Sequence, residues 1–162
     1  MKSLFILQLV CCVITAMLAL QLAMASLQVR WKVWRYEISR WILVASMLFF
    51  SVHYLLQMIH GLRAQGADVG AAFNILFYTP VAFAITLSII NIESTGNKVR
   101  RYCLRGMMAY ILIAIVFVIG MFKSQSLHIG NMLYVMLGLF VASMAYFILI
   151  IRKETKARKQ KL

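Results

Sequence analysis

Apolar residues run along this chain in five long blocks, at 4–27, 41–59, 71–92, 103–122 and 132–151, divided by short polar stretches. Each block approaches the roughly 20 residues that a helix needs to cross the hydrocarbon of a bilayer. None contains Asp, Glu or Lys, and the one Arg among them, Arg105, stands at the edge of the fourth. The period-two alternation of barrel strands is absent, so the blocks are expected to be helices. The pattern predicts an all-α fold, an integral membrane bundle of five transmembrane helices over residues 1–151, with a basic tail at 152–162. Short connections make consecutive helices antiparallel neighbours.

Composition excludes the soluble alternatives. Hydrophobic residues make up 64% of the chain and charged ones 13%, with a mean hydropathy of +0.88. A soluble domain is about 45–50% apolar and about 25% charged, and a disordered chain needs low hydrophobicity. The net charge of +13 would suggest nucleic acid on a folded polar face. Here the basic residues sit in clusters between apolar blocks, the pattern of membrane topology signals, so no nucleic-acid partner is expected.

Those clusters predict an orientation. Arg30, Lys32, Arg35 and Arg40 lie between blocks one and two; Lys98, Arg100, Arg101 and Arg105 between three and four; six more follow block five. One side therefore holds fourteen basic residues against Lys2, Arg63 and Lys123 on the other. Positive residues favour the cytoplasmic side, which puts the N-terminus outside and the C-terminus inside a bacterial cytoplasmic (inner) membrane. A rival reading takes Lys2, the first apolar block and Ala23-Met24-Ala25 before Ser26 as a cleaved signal peptide. Cleavage would put the fourteen clustered cations outside, so a retained helix fits better. Its small residues Ala16, Ala19, Ala23 and Ser26 suit close helix packing.

Trp31, Trp34, Ile38 and Trp41 form one helical stripe among Arg30, Lys32, Arg35 and Arg40. Indoles favour the headgroup level and cations favour anionic lipid. The stripe predicts a membrane-interface element at Trp31, Trp34 and Trp41, either a short interfacial helix leading into the second span or an ordinary aromatic belt.

Candidate chemistry gathers toward the other side. His53, Gln57 and His60 share one face of helix two, and Arg63 extends it. Helix three opens with Asn74 and Tyr78, the loop before it carries Asp68, and helix five opens with Asn131 and Tyr134. Polar groups in hydrocarbon turn toward the bundle or a cavity, so they are expected to converge in the outer half of helices two, three and five. Three readings remain open. His53, Gln57, His60, Arg63, Asn74 and Tyr78 line a ligand pocket for a quinone-like or other small polar headgroup. Alternatively, His53, His60 and His128 take part in metal or haem binding, although an offset of seven sets the first two about 10 Å apart. In the third reading the groups only tie helices together. No resident cofactor is required by any motif; haem or quinone are the ones this chemistry admits.

Pro80 removes a backbone hydrogen bond from helix three, giving a static kink, a hinge or a freed carbonyl. Cys11, Cys12 and Cys103 form no CxxC pair. The eleven Met residues read as core filler. No phosphate-binding glycine loop, nucleophile elbow or HExxH occurs, so no enzyme is expected. The tail from Arg152 lacks Gly and Pro and is rich in helix formers, so helix five is expected to continue into it.

The stretch Arg40-Trp-Ile-Leu-Val-Ala-Ser through His53-Tyr-Leu-Leu-Gln, Asp68-Val-Gly and Asn74-Ile-Leu-Phe-Tyr-Thr-Pro80 resembles the membrane-embedded input module of bacterial sensor histidine kinases. It covers about a quarter of the chain. The resemblance implies a sensor or regulatory domain that detects a small ligand or membrane state and signals through helix five to a cytoplasmic output domain or protein; a homodimer is a further candidate partner arrangement. No phosphoacceptor-histidine motif or ATP-binding domain is present, so it implies the input part alone, isolated or truncated. A small transport or assembly subunit and a haem- or quinone-linked redox protein are the alternatives.

Overall fold

The computed structural model describes residues 2–25, 33–63, 65–93 and 96–160. They form five α-helices: α1 (Lys2–Met24), α2 (Val33–His60), α3 (Ala67–Glu93), α4 (Gly96–Ser124) and α5 (Met132–Lys159). Each is long and apolar enough to cross a membrane. Helices satisfy their own backbone groups, which is what hydrocarbon demands. The hydroxyls inside them are largely satisfied locally too. Thr15, Ser46, Thr79 and Thr86 each donate to the carbonyl four residues back, at 2.6–2.8 Å.

Consecutive helices run antiparallel, as expected, but the five do not close into a single ring. Among the described residues α1 packs against α2 alone, α2 also meets α3, and α3 meets α4 and α5, which meet each other. The fold is a row, α1–α2–α3, joined to a triangle, α3–α4–α5, with α3 shared. Small side chains set the first contact. Gln8, Cys12, Thr15 and Ala19 lie on the α1 face toward α2, and Ala19 is buried. In the triangle, Ala72, Ile75, Ile113, Phe117, Ile129 and Met136 form the core. Gly106 lets α4 approach closely, since a Cβ there would lie 2.0 Å from the Phe83 ring.

The apolar blocks locate the helices but underestimate them. α2 begins eight residues before the expected 41, and the Trp34, Ile38 and Trp41 part of the stripe is its first turns, continuous with the span. No Gly or Pro interrupts this stretch, Glu37 pairs with Arg40 at 2.6 Å, and Asn91 of α3 donates to the Arg35 carbonyl at 3.1 Å and to Ser39 Oγ at 3.0 Å. Trp34 and Trp41 project outward from it; Trp31 falls outside the described residues, as do Ser26 and Leu27 of the first block. α2 stops at Gly61, whose φ of 57° suits a helix C-cap. α3 remains one helix through Pro80. α5 runs unbroken past 151 to Lys159, as the tail composition predicts.

Two ends can be distinguished. The basic end holds the start of α2, the start of α4 and the exit of α5. The histidine end holds the start of α1 and the α2–α3 and α4–α5 turns.

Candidate functional site

Apolar helices give few polar groups a partner, so those that are buried together define the site. Gln8 of α1 donates from Nε2 to Gln57 Oε1 of α2 at 3.1 Å. Gln57 in turn donates from Nε2 to Asn74 Oδ1 of α3 at 2.8 Å. The same Asn74 oxygen lies 3.1 Å from His53 Nε2. Gln8, His53 and Gln57 are all buried, the last two only 1% exposed. These groups make one polar seam through three helices. Each membrane hydrogen bond of this kind contributes about 0.6 kcal/mol on average, up to about 1.7, so the seam's main effect is to fix register.

Aromatic rings wall the seam. The His53 imidazole stacks on Phe77 with centroids 4.4 Å apart and meets Tyr78 edge-on at 5.7 Å. Tyr54 and Tyr78 pair through their hydroxyls at 3.3 Å. Near Pro80, the Thr79 hydroxyl bonds the Ile75 carbonyl at 2.6 Å. A groove of about 290 Å³ lies alongside, lined by Ser46, Phe49, Pro80 and Val81 among others.

The expected cluster is thus assembled in part. His53, Gln57 and Asn74 come together, and Tyr78 joins through Tyr54 and the His53 ring. His60 is exposed and outside the seam, because it lies beyond the α3 contact on the last turn of α2. Arg63 packs against Gly70 rather than the amides. Helix five does not contribute: Asn131 and Tyr134 are exposed, Tyr134 to 74%, because α5 packs on α3 and α4 and never reaches α2. His128 instead bonds Asp68 through Nδ1 at 2.7 Å, linking the α4–α5 turn to the first turn of α3. Among the described residues no three His, Cys, Asp or Glu side chains gather as a metal-holding group. The three imidazoles are therefore not brought to one point.

Gln8 is the member that the sequence reading missed. It is an amide four residues before Cys12 on a stripe of small residues, the signal that marks a helix–helix contact. A second omission lies at the basic end. Glu154 of α5 is only 5% exposed, accepts from the Tyr102 hydroxyl at 2.9 Å and pairs with Lys98 at 3.4 Å. It continues the buried α5 stripe Met136, Ser143, Phe147, Ile150, a spacing visible in the sequence.

Set against known proteins, the chain matches no family model, no curated protein and no solved structure. Function has to be argued from the seam and its connections.

Proposed function

We propose that this chain is a multi-pass sensor or regulatory membrane domain, with the basic end in the cytoplasm of a bacterial inner membrane. The observation that carries this reading is the position of α3. It shares the His53–Asn74 seam with α2 on one side and packs against α5 on the other, and α5 continues to Lys159. A change in the seam can reach the α5 exit through α3, directly and by way of α4, and a ligand or bilayer state that binds two arrangements of the seam unequally shifts their populations. The stimulus acts at the His53, Gln57 and Asn74 groups or the neighbouring Pro80 groove, with a quinone-like headgroup as one suitable chemistry. The output is a cytoplasmic domain or protein, in keeping with the resemblance to kinase input modules.

The test is a distance measurement across the α4–α5 exit. Spin labels go at Arg100→Cys and Lys156→Cys, with Cys11, Cys12 and Cys103 replaced by Ala, in lipid nanodiscs. His53→Ala is expected to redistribute the label distances at this remote exit. Unchanged distributions in both His53→Ala and Asn74→Leu would leave the seam as a tie between helices and end the sensor reading. A Soret band in the purified protein would instead favour the haem reading.

A further inference from the structure

At the basic end the facing sides of α4 and α5 form an open concavity of about 250 Å³, lined by Lys98, Arg101, Tyr102, Arg105, Lys153 and Glu154. Four of these side chains are cationic and one is anionic. The one carboxylate is already engaged: Glu154 Oε1 takes the Tyr102 hydroxyl and Oε2 pairs with Lys98. Arg105 donates only to a neutral group, the Tyr146 hydroxyl at 3.2 Å. Neither Arg101 nor Lys153 pairs with a carboxylate among the described residues.

This arrangement is unbalanced by design of the lining. One carboxylate needs one cation, yet Arg101, Arg105 and Lys153, all solvent-exposed, line the same concave space, where an anion would lower their mutual repulsion. Arginine forks fit phosphate oxygens in particular. The space of about 250 Å³ is large enough for a phosphate group. The surface beside it is apolar. Met108 follows Arg105 by three positions on α4, Leu112 continues that face, and Leu149 precedes Lys153 by four on α5; they are 70%, 48% and 62% exposed. Cations at the end of a membrane-length helix pair, with bare apolar side chains directly along the same faces, match a phospholipid headgroup with its acyl chains.

We propose that this cavity binds a phosphate group, and that its position at the helix ends favours an anionic phospholipid as the source. Glu154 occupies Lys98 and the Tyr102 hydroxyl and lowers the local positive charge, so it competes with the anion for this lining. The site is separate from the seam, so its failure leaves the sensor reading untouched.

The experiment uses the full chain in detergent micelles, with bound lipid counted by native mass spectrometry. Dioleoyl phosphatidic acid is compared with dioleoyl phosphatidylcholine, and sodium phosphate is added as competitor at matched ionic strength. Wild-type protein is expected to retain one phosphatidic acid per chain. Arg101→Gln with Lys153→Gln should weaken retention by about tenfold or more, whereas Arg152→Gln with Lys159→Gln, equal in charge but outside the cavity lining, should change it less than about twofold. Glu154→Gln should tighten it, a sign opposite to general loss of folding. Displacement of the lipid by millimolar phosphate, with no preference for the lipid, would keep the phosphate site and assign it to a soluble anion. Equal weakening by the two charge-matched pairs would overturn the proposal, because diffuse attraction would then account for all binding. Equal retention of phosphatidylcholine would overturn it too.

Discussion

Asn74→Leu is expected to destabilise the protein more than its modest exposure suggests, by about 2 kcal/mol. Its Oδ1 is the shared acceptor for Gln57 and His53, so leucine strands two donors among apolar side chains at once. An unpaired buried donor costs about 1–3 kcal/mol, more than a membrane hydrogen bond usually contributes, because the loss includes desolvation with nothing returned. The comparison that isolates this cause is the fully apolar seam, Gln8→Leu, Gln57→Leu, Asn74→Leu and His53→Phe together. It leaves no donor stranded and should recover most of the lost stability. Unfolding by sodium dodecyl sulfate in mixed micelles measures both. A quadruple variant weaker than the single one would mean that the seam stabilises through its bonds rather than through the penalty for breaking them.

The second large effect comes from adding a single carbon at Gly106. Alanine there should lower stability by about 1–3 kcal/mol, because its Cβ would lie 2.0 Å from Phe83, whose ring is itself packed on Phe147 at 5.7 Å. Helix propensity pulls the other way, since Gly→Ala inside a helix gains about 0.5–1 kcal/mol. The clash wins at Gly106. At Gly138, also inside a helix, nothing lies within 4 Å of an added Cβ, so the same substitution should be neutral or stabilising by up to that amount. The two alanine variants, compared by thermal unfolding in one detergent, should shift in opposite directions. Phe83→Ala added to Gly106→Ala should restore part of the loss, and a clash elsewhere would leave the double variant as weak as the single one.

The contrast between these two glycines shows what a one-dimensional reading can reach. The five helices were legible because a membrane-length apolar run has one stable conformation in hydrocarbon. His53, Gln57 and Asn74 were legible as a group because polar side chains in such runs must seek one another. Which helices meet was not legible. Asn131 and Tyr134 carry the same residue signal as Asn74 and Tyr78, and only the packing of α5 away from α2 keeps them out. The starts and ends of helices were lost for a related reason. The turns near Trp34 and around Glu154 are polar, so hydropathy drops while the backbone stays helical, held by the bonds of Asn91 to Arg35 and Ser39 and of Tyr102 to Glu154. Glu154 stands among the basic residues of the tail, and only its spacing from Ile150 and Phe147 marks it as facing inward.

That α1, among the described residues, touches α2 and no other helix has a consequence for biogenesis. Every described helix contact of α1 is with chain synthesised before α3, so the α1–α2 pairing needs nothing that is made later. Gln8 then shields one side of the Gln57 amide while the other side, together with His53, waits for Asn74 to arrive. The nascent membrane protein thus carries a half-satisfied edge whose first suitable partner, in chain order, is its own next helix.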